Sequence, residues 1–166
     1  MKDPLSVYLQ DHLAGATFGV ELVQALEHDQ DVSELGRLAG KWKIEIKADQ
    51  ATLREIVERL DAAPGTVKEV ISWITEKAAR LKLRRQTSSE LGTFETLETL
   101  ALGILGKRKL WQALKAVALS DVRIGGIDFD ALEQRAIEQH ASVEHFRIHY
   151  AATVFAPPGE EPTRIH

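Results

Sequence analysis

The sequence contains no cysteine, which excludes disulfide bridges, thiolate metal ligands and cysteine nucleophiles. It also lacks a phosphate-binding loop, because Gly125-Gly126 is not followed by Lys and Ser or Thr. No apolar run approaches the roughly 20 residues needed to cross a bilayer, and the opening Met-Lys-Asp-Pro does not resemble a signal peptide. We therefore expect a cytoplasmic protein that does not bind a membrane.

Charge also argues against a nucleic-acid partner. The 21 Lys and Arg residues are outnumbered by 25 Asp and Glu residues, which gives a formal charge of −4. The basic runs at 82–85 and 107–109 lack interleaved aromatic residues, so we interpret them as solvated helix ends. With 166 residues, the chain is long enough for one compact domain.

Helical spacing of apolar residues runs through almost the whole chain, and helix start and stop signals divide it. Asp3-Pro4 begins the first helix, Asp31 with Glu34 resembles a capping box for the second, and Asp128 caps the last. The predicted helices lie at about 4–28, 31–61, 66–81, 90–119 and 129–154. We expect a helical domain over residues 1–156 and a polar, disordered tail over 157–166.

The connection lengths predict how the four long helices are arranged. A tight turn near Asp29 makes the first two helices antiparallel, and the last two are joined in the same way. The connection between the second and third long helices includes the short helix at 66–81, which is long enough to carry the chain back along the bundle. The predicted fold is all-α: a ferritin-like four-helix bundle with a long crossover containing an additional helix.

Several charged or imidazole side chains fall on the faces predicted to be buried. The fourth long helix illustrates this, because its expected inward stripe of Ala141, Ile148 and Ala152 also contains Glu138 and two histidines. Across the bundle, the candidate metal ligands are His12, Glu45, Asp49, Glu98, His145 and His149. Carboxylate oxygens and imidazole nitrogens suit iron, manganese or zinc. A hydrogen-bonded or ion-paired network without metal is the alternative.

The segment from Tyr8 to Ala16, together with the crossover and the buried acids, resembles the ferritin-like superfamily and its small bacterial stress-associated branches. The resemblance implies an iron or manganese centre that oxidises ferrous iron or removes oxygen or peroxide. Members with a dinuclear centre use one Glu from each of two helices and Glu-x-x-His from the other two. Here His12 stands where the first Glu is expected, and Glu45-x-x-x-Asp49 replaces a Glu-x-x-His pair.

Two functions follow from these observations. One is a diverged ferritin-like metalloprotein with the six residues as ligands, acting as an oxidase or ferroxidase or in a stress response. The other is a non-catalytic scaffold with a degenerate metal site, acting through dimerisation or a protein partner. A homodimer is expected because Trp73 and Trp111 occupy apolar positions that one bundle leaves uncovered. The sequence leaves the catalytic residues, the substrate and enzyme status open.

Overall fold

The computed structural model describes residues 3–60 and 89–157, and this part of the chain is helical without strands. The elements are α1 (Pro4–Asp29), α2 (Glu34–Arg59), α3 (Ser89–Val117), a short 3-10 turn (Val122–Ile124) and α4 (Phe129–Val154). The prediction of an all-α bundle of long helices is confirmed. The predicted helix at 66–81 and nearly all of the predicted tail, residues 158–166, lie outside the described residues.

Two of the predicted helix starts are confirmed by their caps. The Asp3 carboxylate accepts a hydrogen bond from the Leu5 amide at 3.3 Å, and the Asp128 carboxylate accepts one from the Ala131 amide at 2.9 Å. Each bond satisfies an amide that has no carbonyl partner within its own helix. These side chains therefore fix where α1 and α4 begin.

The predicted cap of α2 is wrong, because Ser33 caps this helix instead of Asp31. The Ser33 hydroxyl accepts a hydrogen bond from the Gly36 amide at 3.1 Å, whereas Asp31 is exposed in the preceding turn. That turn lies against the helix so closely that a Cβ on Gly36 would come within 1.9 Å of the Gln30 carbonyl oxygen. The tight connection between α1 and α2 thus depends on a serine cap and on a glycine.

The long helices form two antiparallel hairpins. In the first hairpin, Gln50 of α2 contacts Thr17 of α1, and nearer the turn Lys43 of α2 contacts Glu27 of α1. In the second hairpin, the contacts between α3 and α4 join Arg108 to Glu133 and Glu98 to Arg147. In both hairpins, residue numbers rise on one helix as they fall on its partner.

Contacts between the hairpins show that α2 and α3 are parallel. Glu45 of α2 meets Gln139 of α4, and Asp49, one turn later, meets Arg135, one turn earlier. Helix α2 is therefore antiparallel to α4, which is itself antiparallel to α3. The parallel direction of α2 and α3 is the one predicted from the length of the connection between them.

The predicted inward face of α4 is wrong. Its buried residues are Phe129, Leu132, Ala136, Gln139 and Val143, whereas Ala141, Ile148 and Ala152 are exposed, as is Glu138. Apolar residues occur on both sides of this helix, so two stripes compete for the core. The stripe with Phe129, Leu132 and Val143 removes more apolar surface from water than the alanine-rich stripe does.

Trp111 is also buried, contrary to prediction. Only 1 % of its surface is exposed, and its ring lies 6.3 Å from that of Phe129. Trp111 therefore gives no support to a homodimer, and Trp73 lies outside the described residues. The homodimer stays a prediction. Within the described ranges, no helix combines the length and apolar character required to cross a bilayer.

The Ser33 cap can be tested by comparing Ser33→Ala with Asp31→Ala. Loss of an N-cap side chain typically costs about 1 kcal/mol, so we expect Ser33→Ala to lower the free energy of unfolding by about that amount. Asp31→Ala removes the carboxylate that does not cap and should leave stability almost unchanged. Urea unfolding followed by circular dichroism measures both variants, and a larger loss for Asp31→Ala would contradict the cap assignment.

Candidate functional site

The most deeply buried carboxylate of the described residues belongs to Asp49, at the centre of α2. Only 2 % of its side chain is exposed. Lys107 of α3 donates a hydrogen bond from Nζ to Asp49 Oδ2 at 2.5 Å, and Arg135 Nη2 of α4 lies 2.8 Å from Oδ1. The second contact is an ion pair of imperfect geometry, because Oδ1 and Arg135 Nε each lack a hydrogen bond. Two cations from two helices thus neutralise this acid.

Gln139 extends the network to a second acid. Lys107 also donates to Gln139 Oε1, and Gln139 Nε2 donates to Glu45 Oε2 at 2.8 Å. The exposed Lys41 lies 3.7 Å from the other oxygen of Glu45. We call Glu45, Asp49, Lys107, Arg135 and Gln139 the core network; it contains two carboxylates and two cations, so its formal charges cancel.

Burial changes the proton affinity of two side chains near the core network. It lowers the pKa of Lys107, and this effect outweighs the opposing attraction of Asp49. Burial likewise lowers the pKa of His12 below its ordinary value, against the attraction of Asp11. His12 is therefore mainly a neutral imidazole at pH 7, and its ring contacts Tyr8 edge to face at 4.6 Å.

Three of the predicted ligands do not face the core. Glu98 is exposed and pairs with Arg147 at 3.3 Å, and both His145 and His149 are exposed on α4. The two histidines were misplaced because the inward face of α4 was predicted wrongly, since both lie on the stripe of α4 that is exposed.

The six predicted ligands are therefore not assembled into one cluster. Glu45 and Asp49 are brought together, but through Gln139 and Lys107. In the described part of the chain, no group of three or more His, Asp or Glu residues could hold a metal ion. Iron or manganese binding stays a prediction.

Sequence reasoning missed Lys107, Arg135 and Gln139. It placed Lys107 in a basic run at a solvated helix end, which is wrong, since only 14 % of this side chain is exposed. The burial of Lys107 could have been predicted from its spacing. It lies three residues after Ile104 and three before Leu110, both of which are buried. A polar residue at this spacing on an apolar stripe indicates an internal partner.

A cavity of about 570 Å³ lies beside the core network, between α1, α2 and α3. Its walls are mostly apolar and include Leu22, Leu53, Ile104 and Leu110. His12, Asp49 and Lys107 also line it. The arrangement places an apolar space next to a neutralised polar cluster.

Comparison of the chain with models of protein families, with curated proteins and with solved structures finds no match. The geometry of the site therefore carries the functional argument, and the ferritin-like assignment continues to rest on the sequence resemblance.

The energetic importance of the core network is tested by comparing Lys107→Met with Lys115→Met. Removing one partner of a buried ion pair typically costs about 3–5 kcal/mol, because a charge is left without compensation. We expect Lys107→Met to lower the free energy of unfolding by roughly 3 kcal/mol, since Arg135 still contacts Asp49. The matched control removes Lys115, which pairs with Asp130 at the surface, and should change stability little. If both variants lose the same free energy of unfolding in urea, the ion pair of Lys107 is no stronger than a surface ion pair.

Proposed function

We propose that the chain is a non-catalytic helical bundle of ferritin-like layout, in which cationic side chains replace metal as the partners of the core acids. It acts as a scaffold, through dimerisation or a protein partner. The observation that carries this proposal is the environment of Asp49, where Lys107 and Arg135 contact the two carboxylate oxygens.

Electrostatics supports this proposal over a metal centre. Two unit charges 4 Å apart interact by about 4 kcal/mol at an effective dielectric constant of 20. A divalent ion beside Asp49 would be repelled on this scale by both Lys107 and Arg135. It would also compete for lone pairs that these cations already occupy.

The helix directions support the ferritin-like layout. Two antiparallel hairpins with α2 parallel to α3 require a long crossover between the hairpins. The same layout with a conventional dinuclear centre would place carboxylates and histidines from four helices at the core. Here the core positions of α3 and α4 are occupied by Lys107, Arg135 and Gln139, which do not neutralise a cation.

A second candidate is the iron- or manganese-binding protein, acting as an oxidase or ferroxidase or in a stress response. The observation that favours it is that His12 and Asp49 line the same cavity. Burial lowers the pKa of His12, and a neutral imidazole is the form that ligates metal. This function requires Lys107 to leave Asp49 when the ion binds.

Metal loading separates the two functions. We expect the purified chain, soaked with ferrous iron or manganese and then desalted, to retain no stoichiometric metal by elemental analysis. Chelation should leave its thermal unfolding midpoint unchanged, because only a ligand bound to the native state raises stability.

Two variants make this test specific. Asp49→Asn removes the core carboxylate charge, and Glu98→Gln removes an exposed one. Stoichiometric metal that persists in Glu98→Gln and disappears in Asp49→Asn would contradict the proposal and establish the metalloprotein. Metal lost from both variants would contradict the proposal as well, because Glu98 would then also be a ligand, whereas metal retained equally by both would indicate adventitious surface binding and leave the proposal standing.

A further inference from the structure

The cavity between α1, α2 and α3 has the dimensions of a small-molecule site. Its volume of about 570 Å³ falls within the roughly 300–1,000 Å³ typical of ligand pockets. Most of its wall is apolar, with a few polar groups contributed by all three helices, which is the usual composition of such pockets.

Glycines on two helices line this space, and two of them, Gly15 and Gly103, are exposed to solvent. Gly15 of α1 and Gly103 and Gly106 of α3 line the cavity, and a Cβ added to any of them would meet no atom within 4 Å. Glycine in a helix interior costs about 0.5–1 kcal/mol relative to alanine. These positions therefore lower helix stability without being required by close packing.

Gln50 presents a hydrogen-bond acceptor at the cavity. Only 8 % of this residue is exposed, and its Nε2 donates to Thr17 Oγ1 at 3.0 Å. Thr17 uses its own hydrogen for the Leu13 carbonyl, so it must accept from Gln50, which fixes the amide orientation. Gln50 Oε1 then has no partner among the described residues, although this side chain lines the cavity.

Lys107 presents a donor at the same cavity. An ammonium group has three N–H donors, of which two go to Asp49 and Gln139. The third has no partner in the ranges 3–60 and 89–157. A hydroxyl group is suited to both free groups, because it can donate to Gln50 Oε1 and accept from Lys107.

The charges around the cavity favour a neutral ligand. The two carboxylates and two cations of the core network cancel in formal charge, and Asp49 is paired with both Lys107 and Arg135. The remaining carboxylate in the wall, Asp11, is exposed and would repel an anion. A charged ligand group beside the core network would find no uncompensated counter-charge there.

We propose that this cavity is a binding site for a neutral, mainly apolar small molecule that carries one hydroxyl group. Gln50 and Lys107 orient the hydroxyl, and the apolar walls cover the remainder of the molecule. The site goes beyond the proposed function and is tested separately from it, because it requires no statement about metal.

Three molecules with the same ring system test the chemical class: 2-naphthol, naphthalene and 2-naphthoate. Equilibrium dialysis against the wild-type chain, read by naphthalene fluorescence, gives their affinities. We expect 2-naphthol to bind about fivefold more tightly than naphthalene, the scale of one hydrogen bond, and 2-naphthoate to bind most weakly. Tightest binding of 2-naphthoate, or no retention of any of the three, would overturn the proposal.

Variants that fill the cavity test the location. Gly106→Leu and Gly15→Leu place a side chain in the open space, and we expect each to weaken 2-naphthol binding at least tenfold. Both should fold, because leucine favours a helix more than glycine does, and circular dichroism verifies this. The matched control, Ala113→Leu, places a leucine side chain at an exposed position of α3 outside the cavity and should bind as the wild type does.

Gln50→Met tests the orienting group, because it keeps the length of the side chain and removes the acceptor. We expect its preference for 2-naphthol over naphthalene to be smaller than that of the wild type, because only the hydrogen bond from Lys107 remains, while naphthalene binding is unchanged. Wild-type affinity in both leucine variants would overturn the location. An unchanged preference for 2-naphthol in Gln50→Met would overturn the role of Gln50, whether or not the leucine variants lose binding.

Discussion

The arrangement of the two hairpins depends on how the Asp49 carboxylate is neutralised inside the bundle. A buried charge is costly unless it is paired and hydrogen-bonded. Asp49 belongs to one hairpin, and both cations that compensate it, Lys107 and Arg135, belong to the other. The pairing therefore sets the height at which the hairpins meet. Apolar packing alone is less specific, because slightly shifted registers bury similar areas.

The same network limits what the core can do chemically. A ferritin-like metal centre needs carboxylates whose charge is available to the metal. Here the charge of Asp49 is compensated by Lys107 and Arg135. Two members of the core network, Asp49 and Lys107, also line the cavity between α1, α2 and α3. A neutralised pair of charges thus lies next to an apolar space, and this arrangement is the basis of the ligand site proposed above.

Local signals in the sequence predicted much of the fold. Asp3-Pro4 and Asp128 act over one helical turn, so the starts of α1 and α4 could be located from neighbouring residues. The central position of Asp49 also followed from its spacing between Trp42 and Ile56 on a strongly apolar stripe. The parallel direction of α2 and α3 was predicted from the length of the connection between them, which requires no knowledge of side-chain contacts.

The partners of Asp49 could not be predicted in this way. Lys107 is 58 positions away from it, and their contact depends on the register between hairpins. The prediction of the inward face of α4 failed for a related reason. This helix has two apolar stripes, and its packing against the neighbouring helices determines which of them is buried. His145 and His149 were assigned to the core with that stripe, which explains why these two of the six candidate ligands were misplaced.

The most direct test of this account is a double-mutant cycle that combines Asp49→Asn with Lys107→Met. Urea unfolding of the wild type, the two single variants and the double variant gives the coupling free energy between the two side chains. The account predicts a coupling of about 2–3 kcal/mol, at the upper end for residues in one network. Additivity within about 0.5 kcal/mol, the behaviour of independent sites, would contradict the central role of this pair.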